Sequence, residues 1–306
     1  MTQARKETVA LVGLGSLGSA VAARIRTAGL ELLLYDVDQA RTADVVEATG
    51  GRGVPDIPAL ADASIAVCLL PDTDAVDDVV RGRPGLLGAL APGSLVLDMG
   101  SSDPHRTIEL ADAASAVGIE YADAPVSGGV ARAHAGDLTV MFGGTEEQLE
   151  RARPILEAVG STVVPVGRVG AAHAAKALNN LLSAIGLAGA LEVLEVAQRF
   201  GVDPDLMLEI VNGSSGRNNA TETKIKQFVL SETFGSGFAL GLMLKDVSTA
   251  IDVAREVNAS TPLGDACLAL WRSAAEQLPP DADHTSIASL LLTQRELAGR
   301  SPVIGD

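Results

Sequence analysis

The chain has 306 residues, 47% of them apolar and only 3% aromatic, with a formal net charge of −16. That length holds one large or two ordinary domains, whose core must be built from Ala, Val, Leu and Ile. A surface so acidic repels phosphate backbones and anionic lipids, which argues against nucleic acid and membrane as partners and serves solubility.

The N-terminus "MTQARKETVALVGLG" runs directly into a strand, so no leader is expected. From there to about residue 166, short β-type runs alternate with helical ones. "TVALVGLG" reads as a strand, "SLGSAVAARIRTAG" as a helix closing on Gly29, and "LELLLYD" as the next strand. "ASIAVCLLP", "GSLVLDMGS", "GIEYADAP" and "LTVMFGG" repeat the form. The strands are almost continuously apolar, as in a parallel sheet covered on both faces, so a doubly wound α/β domain is expected. Cys68 in "IAVCLL" and Cys267 in "ACLALW" read as small buried hydrophobes, in keeping with a reducing cytoplasm.

After "TVVPVGRVG" the pattern becomes helical, and no further strand is expected. The boundary is placed at 167/168, giving domains 1–167 and 168–306. "AAHAAKALNNLLSAIGLAGALEVLEVAQRF" fits one helix of roughly 30 residues, well above the usual length. Asn179, Asn180 and Ser183 interrupt its apolar run, which reads as a buried helix rather than a membrane span. Its small residues and apolar length suit a subunit interface. Asp203 and Pro204 start the next helix as N-cap and first residue. Further helices are expected at 218–231, 238–257, 261–277 and 284–299.

"VGLGSLGS" places Gly13, Gly15 and Gly18 in G-x-G-x-x-G spacing between a strand and a helix. The first glycine makes the tight turn, the second lets backbone approach a pyrophosphate, and the third lets helix pack on strand. The N–H groups of Leu14, Gly15, Ser16 and Leu17 then face the phosphates. The second strand ends on Asp36, an acceptor for the ribose hydroxyls, which favours NAD and leaves NADP possible. Leu70 and Pro71 close another strand and Ser101 and Ser102 a third, so these ends line the same crevice. Ser102 or Asp103 also suits the cap of the following helix. Ser127, Gly128 and Gly129 form either a small cradle for a carboxylate or an ordinary turn.

Together "GLGSLG", "DAPVSGG" with "AGDLTVMFGG", "GAAHAAKALNN" and "GLMLKDVSTAIDVA" resemble the β-hydroxyacid dehydrogenase family over essentially the whole chain. The family includes 3-hydroxyisobutyrate dehydrogenase and tartronate semialdehyde reductase. The resemblance implies an N-terminal Rossmann domain, a long interdomain helix, an all-helical C-terminal domain, and NAD(P)-dependent oxidation of a small β-hydroxy acid. It implies Lys176 as catalytic lysine, Asn180 as its partner, and Ser127, Gly128 and Gly129 as substrate-binding residues. Lys245, followed by Asp246, is placed at the mouth shared by cofactor and substrate. A homodimer or homotetramer paired through the helical half follows from the same resemblance. "GSSGRNNATETKIKQF" departs from isobutyrate-specific members. Its Arg217, Asn218 and Asn219 point to a more polar substrate, such as a hydroxylated sugar acid.

Lys176 and Asn180 stand four apart, on one helix face. A lysine held in apolar surroundings loses charge more readily and can take a hydroxyl proton or return it. The competing view makes Lys176 a surface residue with its stem on apolar surface, Asn180 a surface amide, and Lys245 with Asp246 a surface ion pair. His134, His173 and His284 are scattered, receive no role, and form no metal set. An imine reductase on the same scaffold and a non-catalytic NAD-binding scaffold protein are the alternatives. Lys176 opposes both, and the acidity opposes the second.

Overall fold

The apolar runs of the first half pair side by side. The computed structural model describes residues 8–279 and 281–292. In it β1 (Thr8–Val12), β2 (Glu31–Tyr35), β3 (Arg52–Gly53), β4 (Ile65–Cys68), β5 (Leu95–Asp98) and β6 (Glu120–Asp123) lie parallel, in the order β3-β2-β1-β4-β5-β6. β7 (Val126–Ser127), β8 (Leu138–Gly143) and β9 (Gly160–Gly167) extend the sheet, β8 running antiparallel to β6 and β7 and parallel to β9. α1 (Ser16–Thr27), α2 (Gln39–Thr49), α3 (Thr73–Arg81), α4 (Leu86–Ala89), α5 (Pro104–Ala116), α6 (Gly129–Ala135) and α7 (Glu146–Val159) connect the strands.

Alternate strand residues feed two cores. Val9, Leu11, Leu34, Val67 and Leu97 pack on one face of the sheet, and Ala10, Val12, Leu33, Ala66 and Val96 on the other. This period of two explains why the strands read as unbroken apolar runs: both faces are covered. Each fully buried Val or Leu contributes roughly 1.5–3 kcal/mol. Cys68 and Cys267 are both buried and free.

The second half is helical: α8 (Ala171–Phe200), α9 (Pro204–Asn212), a π-helix (Ala220–Val229), α10 (Leu240–Glu256), α11 (Pro262–Gln277) and α12 (Ala288–Leu291). Asp203 caps α9 by accepting from the N–H groups of Asp205 and Leu206. The segment expected as a helix at 218–231 is wound with wider turns, and Leu230 N–H reaches the Ile225 carbonyl. Of the helix expected at 284–299, His284–Ile287 is a 3₁₀ turn leading into α12, and residues beyond 292 lie outside those described.

α8 has the 30 residues its sequence suggested and a mean hydropathy that by length and composition would suffice to cross a membrane. Leu181, Ala184, Leu187, Ala188, Leu191 and Leu194 are buried along one side of it, and 39% of its apolar stretch is buried in all. The chain divides into two compact units, Met1–Ala177 and Leu178–Asp306, so the division falls inside α8.

Candidate active site

The strand registers bring the chemistry-bearing turns to one level. Val12 is paired with Tyr35 and Cys68, Cys68 with Asp98, and Asp98 with Asp123. Gly13, Asp36, Leu69, Met99 and Ala124 therefore follow side by side at the carboxyl edge. The strand order reverses between β1 and β4, and ligands of such sheets bind in the crevice there.

The glycines are needed for distinct reasons. Gly13 has φ +95°, and a Cβ there would lie 2.3 Å from the Leu69 carbonyl oxygen. A Cβ on Gly18 would lie 2.1 Å from the Gly13 carbonyl oxygen, whereas one on Gly15 would meet nothing within 4 Å. The first and third glycines thus close the turn, and the second faces open space. α1 starts on Gly15 with no side-chain cap, while Asp38, Asp72, Asp103 and Thr145 cap α2, α3, α5 and α7. Uncapped N–H groups beside an open glycine suit a dinucleotide pyrophosphate. The Leu14 N–H donates to Asp36 Oδ2 at 2.7 Å, so it braces the loop and is not free to face a phosphate. Asp36 Oδ1 accepts from Asp38 N–H at 2.9 Å, and its carboxylate keeps lone pairs for ribose hydroxyls.

Leu70 lies against the loop, its Cδ2 3.1 Å from where a Gly13 Cβ would stand, with Pro71 exposed beside it. Ser101 is half-buried at the end of the next strand. Asp103 is the helix cap, and the Ser102 hydroxyl instead donates to Asp98 Oδ2 at 2.7 Å.

Behind this edge lies a buried polar cluster that the sequence did not disclose. Asp123 Oδ1 accepts from Gly170 N–H at 2.7 Å, and Oδ2 from His173 N–H at 2.8 Å. The His173 ring sits 3.8 Å from both Asp98 and Asp123, and its Nδ1 is 2.8 Å from the Thr107 hydroxyl. Burial pushes the Asp123 carboxyl up, and His173 with the two N–H donors offsets only part of it. Burial, with the charge of Asp98, likewise raises the Tyr121 phenol and the Cys68 thiol. Asp123 closes the strand leading to Ser127 and grips the start of α8, three residues before Lys176. One buried carboxylate thereby ties the two motifs together. Lys176 is half-buried.

Ser127 ends β7, and Gly128 and Gly129 follow with φ +138° and +74°, conformations that side-chain-bearing residues rarely adopt. The turn is thus glycine-specific.

In the second unit Asn180 is buried, and its Nδ2 donates to Asp246 Oδ2 at 2.6 Å. Lys245 Nζ stands 3.4 Å from Asp246 Oδ1. The Asp246 side chain is 3% exposed, so this is an interior Asn–Asp–Lys arrangement rather than a surface pair. Arg217 pairs with Glu222 at 3.6 Å on the surface, and Asn218 Oδ1 accepts from the N–H groups of Ala220 and Thr221. Arg217 stays largely exposed, and Asn218 also lines a hollow with Ile185 and Leu208. No metal-holding group of His, Cys, Asp and Glu occurs among the described residues.

The family described as the NAD binding domain of 6-phosphogluconate dehydrogenase matches residues 8–167. The family described as NAD-binding of NADP-dependent 3-hydroxyisobutyrate dehydrogenase matches residues 170–291. The chain is 36% identical to 2-(hydroxymethyl)glutarate dehydrogenase of Eubacterium barkeri, over 83% of this chain and 85% of that one. It is 34% identical to 3-hydroxyisobutyrate dehydrogenase of Pseudomonas aeruginosa, covering 91% and 95% respectively. The solved structure of Mycobacterium tuberculosis 3-hydroxyisobutyrate dehydrogenase with L-serine superposes with a TM-score of 0.84 at 28% identity, covering 93% of this chain and 99% of that one.

Proposed function

The chain belongs to the β-hydroxyacid dehydrogenase family, and from that premise we propose that Lys176 is the general acid/base of its hydride transfer between NAD(P) and a small hydroxy acid. The observation that carries this role is the Asp123 grip on Gly170 and His173, which fixes the first turn of α8 ahead of Lys176.

When bound, the nicotinamide accepts or returns the hydride. In the oxidative direction the Lys176 amine takes the hydroxyl proton as the C–H bond is lost. In the reductive direction its ammonium returns that proton to the carbonyl oxygen. Asn180, clamped by Asp246, orients the reacting oxygen. Ser127, Gly128 and Gly129 hold the substrate carboxylate, and Lys245 supplies a positive charge to it. Gly13 to Gly18, Asp36, Leu70, Pro71 and Ser101 take the dinucleotide, with Lys245 at the cofactor mouth, and Asp36 gives NAD the preference over NADP. Residues 1–167 form the cofactor half and 168–306 the substrate half. The protein works in the cytoplasm.

Leu178, Leu182, Gly189, Val193, Val196 and Phe200 form an exposed, largely apolar stripe along α8. A hollow of about 300 Å³ beside it is lined by Ile185, Gly189, Val193, Leu208 and Val211. This stripe supports a homodimer or homotetramer. Light scattering that returns the mass of a single chain would refute it.

Reduction of NAD and NADP is measured with 3-hydroxyisobutyrate, glycerate, threonate and 4-hydroxybutyrate. Lys176→Ala is expected to lower kcat by roughly 10²–10⁴-fold while NADH still binds. Turnover that survives this change rejects the assigned role. In the same assay Asp36→Ala narrows the NAD preference about tenfold, or about 1.4 kcal/mol. An unchanged ratio removes Asp36 from cofactor choice.

A further inference from the structure

Lys224 is the inward-facing cation of the helical unit that the reading above leaves without a task. Its Nζ lies 3.3 Å from the Ser183 hydroxyl and 3.1 Å from His284 Nε2. His284 is 1% exposed, and its ring stacks on Trp271 and meets Phe238 edge-on. His284 Nδ1 is 3.1 Å from the Phe238 carbonyl, which can only accept. The proton therefore sits on Nδ1, and Nε2 accepts from the ammonium.

Neither partner of Lys224, the Ser183 hydroxyl or the His284 ring, is an anion. Among the described residues no carboxylate lies within ion-pair distance of it. Asp283, whose charge acts on it from a distance, is engaged by the His284 ring at 3.4 Å, by the Ser236 hydroxyl and by the N–H groups of Gly237, Phe238 and Thr285. An ammonium taken out of water without an anion is costly, so such a group usually serves one that arrives later.

Two further observations locate that arrival. Lys224 lies in the middle of the π-helix, and π turns are rare and concentrate at functional positions. Ser183 follows Asn180 on α8 by three residues, on the same side and about 4.5 Å further along the axis. The ammonium is thus held one turn beyond the asparagine that orients the reacting oxygen.

We propose that Lys224 receives a second anionic group of the substrate, a carboxylate two to three carbons from the reacting carbon, so that the enzyme takes hydroxy diacids. Ser183 and His284 hold two of the three ammonium protons, and the third is directed at that carboxylate. This rests on the reading that Asn180 touches the substrate.

The test is calorimetric binding of glutarate and of its monomethyl ester to the NADH-loaded enzyme. The two probes have the same length, and neither carries a hydroxyl to oxidise. The outcome therefore does not depend on turnover, whose failure with every hydroxy acid would count against the dehydrogenase reading alone. Wild type is expected to bind glutarate at least tenfold tighter than the ester. Lys224→Met should bring the ratio to about one, and Lys224→Arg should keep part of the preference. Equal binding by wild type, no binding of either probe, or a preference that survives in Lys224→Met overturns the proposal. If Lys224→Met does not fold, Lys224→Gln replaces it with the same expected loss of preference.

Discussion

Each unit of the molecule buries one histidine in a polar cluster, and the two clusters are opposites in charge. Around His173 carboxylates are in excess: Asp98 and Asp123 flank one imidazole. The fold absorbs that excess itself, through the N–H groups of Gly100, Gly170 and His173 and the hydroxyl of Ser102. Around His284 a carboxylate and a cation stand on opposite sides of the ring. Asp283 is fully engaged on the Nδ1 side, and Lys224 meets only neutral atoms on the Nε2 side. Backbone amides can neutralise a surplus acid locally, and they are what a folded chain offers at strand ends and helix starts. Backbone carbonyls could do the same for a surplus base, but Lys224 meets a hydroxyl and an imidazole instead. The first cluster therefore reads as architecture and the second as a receptor.

The comparison is broken most directly at Asp123. Asp123→Ala leaves two buried N–H groups without an acceptor, and the loss is expected to reach about 2–5 kcal/mol. Thermal or denaturant unfolding measures it, and a loss under about 1 kcal/mol would show that the cluster is not architectural.

Acid sharpens the contrast. Burial raises the Asp283 carboxyl, but hydrogen bonds from His284, Thr285 and Ser236 outweigh it and hold the group well below the usual carboxylate range. A carboxylate lowered in the folded state contributes stability above its unfolded pKa and loses it as pH falls through the folded one. Asp123, raised, does the reverse: its contribution is present at low pH and is lost as pH rises through its folded pKa. Melting between about pH 5 and pH 2 should therefore show acid lability that Asp283→Asn reduces and Asp123→Asn does not. Equal acid responses in the two variants would erase the distinction.

The smallest effect belongs to Lys224. Lys224→Met is expected to change stability by no more than about 1 kcal/mol, because a partly buried cation without an anion gives the fold little. A loss of several kcal/mol in the same unfolding experiment would make Lys224 a strut.

The sheet was legible in the sequence because strands covered on both faces are apolar at every position, and the glycine loop because its spacing answers to sterics at Gly13 and Gly18. The length of α8 was legible from its composition. The π winding of Ala220–Val229 was not, since α and π turns draw on the same residues. Asp123 and Lys224 lacked assigned partners, and Asp246 had only Lys245, for a different reason. Their partners lie 47, 66 and 60 residues away, at Gly170, Asn180 and His284. No local period reports such pairs. That Asn218 Oδ1 caps the backbone of Ala220 and Thr221 was not legible either, because polarity in a sequence does not reveal such a cap.

Because the chain divides inside an unbroken helix, Lys176 and the residues after it share one angular frame. Each residue of an α-helix advances the chain by about 100°. A single residue inserted between Ala177 and Asn180 would swing Asn180 and Ser183 by that angle relative to Lys176, while leaving every side chain intact. The proposed pairing of Lys176 with Asn180 thus depends on a count of residues. Recombination between relatives that preserves this count keeps the phase, and a frame-preserving insertion of one codon does not.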